Sequence, residues 1–244
     1  MKTAFLADIH ANLTALDAVL SDVSRQKVDQ IICLGDIVGY GPKPRECAER
    51  ILSVTRHSVI GNHDAYAASE RIQIRGLRED VADGILLARN AMDDALLNSI
   101  AALPLTFRLG DFSCVHATLR EPERFHYVRS ASDASEHFLL QSTPLAFIGH
   151  SHMPQIWEDT PGRARALPIE NGFVELRPET RYLINAGSVG QPRDGDPRAC
   201  YVILDDEAQV VTWRRVFYDV ETTVAAMLAL GMPDFAAARL SRGM

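Results

Sequence analysis

The sequence predicts an α/β protein (α+β in how its elements are distributed) with two mixed β-sheets packed face to face and helices outside. The first observation behind this is a β-α-β-α-β alternation over the first sixty residues. The second is a change of character near residue 105, after which short β-rich pieces follow one another with little helix between them. Alternation followed by strand-rich chain is the pattern of layered sheets with helices on their faces. The third is that several apolar, β-prone runs end directly in a polar block, which puts those blocks at the carboxyl ends of strands. In open α/β sheets that rim is where ligands collect.

The elements follow in order. A strand over residues 3–8 precedes Asn12, a plausible helix N-cap, and an apolar stripe of Leu13, Leu16, Val19, Leu20 and Val23 carries a helix to about residue 26. A strand over 30–34 runs into Gly35-Asp36, the stiff stretch Gly39-Tyr40-Gly41-Pro42-Lys43-Pro44 forms a loop, and a helix over 45–53 leads to a third strand over 57–60. Residues 77–103, rich in Ala, Leu, Asp and Arg, read as one or two helices. Strands are then expected over 105–109, 112–115, 145–148, 155–158, 173–175, 182–185, 200–204 and 210–217. Helices are expected over 132–140, 219–230 and 234–241, the apolar residues 224–230 packing into the core. Residues 121–129, with mixed charges and aromatics, read equally as a loop or a lid. There is no repeat, low-complexity tract or linker, so one domain over 1–244 is expected.

Composition narrows the function. Of the 244 residues, 47% are hydrophobic and 23% charged, as in ordinary globular proteins. The net charge of −7 argues against broad electrostatic binding to nucleic acid or an anionic membrane, although bound metal ions can reverse the field locally for a small anionic substrate. Cys33, Cys47, Cys114 and Cys200 form no CxxC pair and read as reduced packing residues. Asp8 and His10 interrupt the N-terminal apolar run before a signal-peptide core forms, and no run reaches transmembrane length. A cytoplasmic protein is expected.

Five blocks carry the chemistry: Asp8-Ile9-His10, Gly35-Asp36, Gly61-Asn62-His63-Asp64, His116 and Gly149-His150-Ser151-His152. Two metal ions roughly 3.5–4 Å apart can clamp a phosphate and hold a bridging hydroxide as nucleophile. Such a pair needs a shared carboxylate, and Asp36, on a tight Gly-Asp turn, is best placed for it. Neutral imidazoles and an amide oxygen complete the spheres without cancelling the positive charge a phosphate must feel. His57, His126 and His137 lie outside the blocks and read as surface or core residues. Tyr40 can border a substrate pocket, and Arg193 can be a solvated cation or a phosphate-binding fork.

In this order, D-x-H, G-D, G-N-H-[DE], H and G-H-x-H, the sequence resembles the calcineurin-like metallophosphoesterase superfamily. The stretch Asn185-Ala186-Gly187-Ser188-Val189-Gly190-Gln191-Pro192-Arg193 is similar to N-P-G-S…P-R of its small bacterial and archaeal phosphodiesterase-like branch, with Ala186 in place of the usual Pro. The resemblance implies a four-layer α/β/β/α sandwich. It also implies that Asp8, His10, Asp36 and His152 bind a first metal and Asp36, Asn62, His116 and His150 a second, while His63 binds the phosphate and protonates the leaving oxygen, oriented by Asp64. The function expected is hydrolysis of a small phosphodiester by a dinuclear centre, best suited to Mn²⁺ with Fe, Zn, Ni or Mg as the other ions. A phosphomonoesterase acting on a nucleotide, a small molecule or a phosphoprotein, and a noncatalytic scaffold on the same fold, remain open. So does assembly into a homo-oligomer.

Overall fold

The computed structural model describes residues 1–69 and 74–244. In chain order the first half holds β1 (Lys2–Leu6), α1 (Leu13–Arg25), β2 (Gln30–Cys33), α2 (Pro44–Val54), α3 (Asn62–Ala68), α4 (Glu79–Ala91) and α5 (Asp94–Ala101). The second half holds β3 (Thr106–Leu109), β4 (Phe112–Val115), α6 (Ala131–Phe138), β5 (Leu145–Ile148), β6 (Gln155–Thr160), β7 (Arg163–Leu167), β8 (Phe173–Glu175), β9 (Tyr182–Asn185), β10 (Ala199–Asp205), β11 (Val210–Val216), α7 (Val220–Ala229) and α8 (Asp234–Leu240). The strands form a five-stranded sheet, β2-β1-β10-β11-β8, and a six-stranded sheet, β3-β4-β5-β9-β6-β7. Both are mixed: β1 runs parallel to β2 and antiparallel to β10, while β4, β5 and β9 are mutually parallel.

Side-chain alternation along each strand builds the layers. From β1, Ala4 and Leu6 face the core shared with α1, α2 and α4, whereas Phe5 and Ala7 face the other sheet. From β5, Leu145 and Phe147 join that inter-sheet core, and Ala146 and Ile148 point outward to Phe138 of α6. Between the sheets the Phe5 and Phe147 rings stack with centroids 3.6 Å apart and Phe112 meets Phe5 edge-on at 5.3 Å. Burying each such ring stabilises the fold by about 2 kcal/mol. The order helix, sheet, sheet, helix is the four-layer sandwich expected. Asn12 caps α1 through its Oδ1, which accepts from the Ala15 N–H at 3.1 Å. All four cysteines are free and buried. Among the described residues no helix is long and apolar enough to cross a membrane.

Local expectations change at two strands and in α7. Residues 57–60 are not a strand: the segment makes one bridge, Cys33 to Ser58, and the Ile60 N–H turns away to the Pro104 carbonyl at 2.9 Å. The stretch over 77–103, expected as one or two helices, is two, broken at Met92 and restarted by Asp93, whose side chain caps α5 through the Leu96 N–H. Strand β7 was not foreseen, because Arg-Ala-Arg-Ala-Leu on a sheet edge offers polar residues where a strand reading looks for β-branched ones. In α7, Val224 and Met227 pack inward as expected, but Leu228 and the following Leu230 are exposed.

His137 lies on α6, fully buried, with its Nδ1 accepting from the Leu119 N–H at 3.3 Å. Burial pushes its pKa down to about 3. Below the ordinary value near 6.5 the unfolded chain therefore takes up a proton that the folded one refuses. Stability should fall by about 1.4 kcal/mol per pH unit from this group as pH drops from 6.5 toward 3. Urea unfolding at pH 6.5 and pH 4.5, in chelator, should lose more stability for the parent than for His137→Gln; equal losses would mean that His137 protonates inside the fold.

Candidate metal centre

The five blocks meet at one rim. Asp8 and His10 follow β1, Asp36 follows β2, His116 follows β4, His150 and His152 follow β5, and Asn62 and His63 open α3. The loops are knitted together: the Asp8 N–H donates to the Gly35 carbonyl at 3.0 Å, and the N–H groups of Ile9 and His10 donate to the Asp36 carbonyl at 2.8 and 2.9 Å. Asp8, His10, Asp36, Tyr40, His150 and His152 all adopt positive φ, between 48° and 66°. Left-handed backbone at so many non-glycine residues is a local strain that the rest of the fold sustains, a pattern concentrated at functional sites.

Three triplets of ligand atoms result: a first of Asp8, His10 and His152, a second of Asp36, His116 and His150, and between them His10, Asp36 and His63. His152 Nε2 lies 3.3 Å from Asp8 Oδ1, and His116 Nε2 lies 3.3 Å from Asp36 Oδ2. Asp36 Oδ2 is also 3.7 Å from His10 Nε2, so this carboxylate borders both triplets. A carbonyl only accepts, so each ring nitrogen facing one must carry the proton. His10 Nδ1 donates to the Val38 carbonyl at 3.2 Å, His116 Nδ1 to Leu34 at 2.7 Å and His152 Nδ1 to Gln191 at 2.6 Å. In the neutral rings this leaves the Nε2 lone pairs facing inward, and those of His10 and His152 are 3.0 Å apart. Two lone pairs at that distance repel unless a cation lies between them. Asn62 Oδ1, at the start of the neighbouring helix α3, is likewise buried with no hydrogen-bond donor. The residues therefore fit divalent-cation binding, with the carbonyls fixing each tautomer.

The protonation pattern reflects crowded buried charge. Burial pushes Asp8 up to about 7, with the Asp36 charge adding to it. Burial also acts to raise Asp36, but His116, His63 and His10 hold it well below the usual carboxylate range. Burial opposes protonation of His116, yet Asp36 and Asp8 together raise it to about 9. Burial lowers His10, His63, His150 and His152. A proton on His116 thus does in part what a cation would do, and cation binding must displace it.

The Asp64 carboxylate is not where the resemblance puts it. Oδ1 accepts from the Ile37 and Val38 N–H groups at 2.9 and 3.1 Å and Oδ2 from Gly61 N–H at 3.1 Å, so it shapes the Asp36 turn instead of holding the His63 ring. The His63 ring instead sits beside Tyr40, with centroids 4.6 Å apart, and its Nδ1 is buried without a partner. Gly39, at φ +91°, is required there: a Cβ would lie 2.3 Å from His63 Nδ1. The Arg193 guanidinium lies 5.7 Å from the centre of the Tyr40 ring. Residues 121–129 pass over the second triplet, Tyr127 stacking on His150 at 4.0 Å and carrying the Arg129 guanidinium at 3.7 Å.

Supporting residues went unassigned in the sequence. Asn185 Nδ2 donates to the Gly149 carbonyl at 2.7 Å and to Ser151 Oγ at 3.0 Å, and Ser188 Oγ donates to the Asp8 carbonyl at 2.8 Å. The Asn185–Arg193 stretch bolts the two halves of the first triplet together, and its signal was the motif resemblance alone. His57 and His126 stay outside the cluster, as read.

Such a sandwich, with Asp and His ligand groups gathered at the strand ends, defines a metallophosphoesterase, an enzyme that hydrolyses phosphoric esters. Residues 1–209 match the family described as the calcineurin-like phosphoesterase superfamily domain, and the chain belongs to that superfamily. It is similar to a metallophosphoesterase from Sphaerobacter thermophilus, 38% identical with both chains fully covered and a TM-score of 0.88. It is 34% identical to an uncharacterized protein of Methanocaldococcus jannaschii, covering 98% of this chain and 97% of that one. A symmetrical bis(5′-nucleosyl)-tetraphosphatase of Psychromonas ingrahamii is 32% identical over 119 residues, which are 47% of this chain and 42% of that protein.

Because the ligand groups come from four separate strands, a bound cation should tie the rim together. At a concentration a hundredfold above its dissociation constant it should add about 2.7 kcal/mol, or several degrees in Tm. Differential scanning calorimetry in Mn²⁺ and in chelator should show that rise for the parent and lose most of it in Asp36→Asn, which removes the carboxylate from the second triplet and from beside His10; an equal rise in the variant would exclude Asp36 as a ligand.

Proposed function

We propose that the chain is a dinuclear metal-dependent phosphodiesterase acting on a small phosphorylated substrate. The observation that carries this is the facing pair of His10 and His152 Nε2 lone pairs beside a second His–Asp triplet whose Asp36 also approaches His10 at 3.7 Å. Asp8, His10, Asp36 and His152 would hold one cation, and Asp36, Asn62, His116 and His150 the other. Oxygen and imidazole donors without thiolate suit Mn²⁺ best. Two bound cations supply a hydroxide nucleophile at neutral pH and neutralise phosphoryl charge.

The protein's own part falls to residues around that pair. His63 contacts the phosphoryl group and protonates the leaving oxygen; burial lowers its proton affinity, and the negative charge of a bound ester works in the opposite direction. Tyr40 walls the pocket against His63 and His10. Arg193 meets phosphoryl oxygens as a fork, its charge reaching Asp8, His63 and His152 alike.

Metal-stripped protein resupplied in turn with Mn²⁺, Zn²⁺, Ni²⁺ and Mg²⁺ should hydrolyse bis(p-nitrophenyl) phosphate faster than p-nitrophenyl phosphate, and fastest with Mn²⁺. A preference for the monoester would make it a phosphomonoesterase, and no turnover with any metal would leave a noncatalytic scaffold. His63→Ala should keep its metals, counted by elemental analysis, while losing turnover by about a hundredfold or more. Full activity in that variant would remove His63 from the mechanism.

A further inference from the structure

Three arginines from distant parts of the chain converge just beyond Tyr40. Arg78 precedes α4, Arg193 lies in the loop after β9, and Arg239 is in the last turn of α8. Arg78 and Arg239 meet at Asp80, which is buried in the first turn of α4, and Arg193 lies 5.7 Å from the centre of the Tyr40 ring. Arg78 Nε donates to Asp80 Oδ1 at 2.9 Å, and Arg239 Nη1 lies 3.6 Å from Asp80 Oδ2. The Tyr40 hydroxyl feels the charges of Arg193, Asp80 and Arg78 together, and Arg239, lowered first by burial, is lowered further by Arg193 and Arg78. All three guanidiniums thus share one neighbourhood, opposed by a single carboxylate.

A clasp joining α8 to α4 accounts for Asp80 with Arg78 and Arg239. It does not account for Arg193, whose like charge works against that clasp. Among the described residues Arg193 forms no salt bridge within 4 Å. Its Nη2 donates to the neutral Gln191 Oε1 at 2.8 Å, and its Nε is buried with no acceptor at all. A buried guanidinium N–H without an acceptor is costly, and two neighbouring guanidiniums offset by one carboxylate leave a net positive charge beside it that attracts an anion. Tyr40 touches both sides, its ring centroid lying 4.7 and 4.6 Å from those of His10 and His63 and 5.7 Å from the Arg193 guanidinium.

We propose that Arg193, Arg239 and Arg78 form a subsite for a second phosphoryl group, so that the substrate carries two, one presented to the His–Asp cluster and the other held beyond Tyr40. The proposal rests on the phosphoesterase reading, and it narrows the substrate from any ester to a compound with two phosphoryl groups, whether joined through one bridging atom or set a few atoms apart. Arg193 lies between the two positions and serves both.

The test needs no turnover, so it is read even if ester hydrolysis fails. Methylphosphonate, methylenediphosphonate and propane-1,3-diphosphonate are titrated by calorimetry into Mn²⁺-loaded protein and into Arg239→Gln and Arg78→Gln. Chelation of the metal is common to all three proteins and drops out of the comparison. The parent should bind one of the diphosphonates at least about tenfold tighter than the monophosphonate, the loss of one charged hydrogen bond being worth about that factor. Each glutamine variant should reduce the preference, and Arg239→Lys should restore part of it. Whichever diphosphonate is preferred gives the spacing of the two groups. No preference in the parent, or variants that weaken mono- and diphosphonate equally, would overturn the subsite and leave a structural clasp. Arg78 is more than half exposed, so its variant remains informative if Arg239→Gln unfolds.

Discussion

Three carboxylates, Asp8, Asp36 and Asp64, are buried at one rim of the sandwich, and the surrounding structure is organised around making that tolerable. Isolated buried carboxylates are too costly to keep ionised. Here each has backbone N–H donors: His150 for Asp8 at 2.9 Å, His63 for Asp36 at 2.8 Å, and Gly61, Ile37 and Val38 for Asp64. Supplying those donors requires the chain to turn sharply at Asp8, Asp36 and His150, which it does in left-handed backbone. It also requires several strands to end at the same rim, and the parallel pairs β1–β2 and β4–β5 provide that. Burial leaves Asp8 with its pKa near 7 even though His116, the His150 N–H and Arg193 all act to lower it, so the arrangement has room for further positive charge.

The histidines are held for the same purpose. Carbonyls of Leu34, Val38 and Gln191 each take an Nδ1–H, which removes the rotational and tautomeric freedom of His116, His10 and His152 before any ligand arrives. Pre-set donors lose less entropy on binding, so the rim is built for affinity and fixed geometry. His150 differs, since its Nδ1 faces His116 at 3.2 Å and its Nε2 has no partner; Tyr127 stacked on its ring supplies the orientation instead.

Much of this was legible in the chain itself. The strand-end blocks and the two-sheet architecture follow from local signals: apolar runs of four or five residues, a cap at Asn12, and Gly-Asp and Gly-Asn turns. The gathered ligand groups were legible because several weak blocks in one order are jointly specific. What escaped depends on tertiary placement. Strand β7 pairs with β6 although Arg163 and Arg165 stand on one side of it and only small Ala164 is buried on the other, because a sheet edge tolerates charge. The convergence of Arg78, Arg193 and Arg239 has no sequence signature, since the three positions are brought together only by the packing of α4 and α8 around the loop after β9.

Asp64 shows most directly why adjacency in sequence misleads. It follows His63, and an acid beside a catalytic histidine invites an orienting role. Both residues lie in the first turn of α3, where successive side chains point about 100° apart, given 3.6 residues per turn. If His63 faces the ligand cluster, Asp64 must face elsewhere. Its direction is back toward the β2 turn, where three N–H groups converge on it. Loss of Asp64 would therefore be felt first by Asp36, whose loop it braces, and so by both halves of the cluster together. The third block, Gly61-Asn62-His63-Asp64, thus divides its work: Gly61 gives room to the Asp36 carboxylate, Asn62 offers an oxygen, His63 faces the pocket, and Asp64 holds the turn on which the shared carboxylate stands.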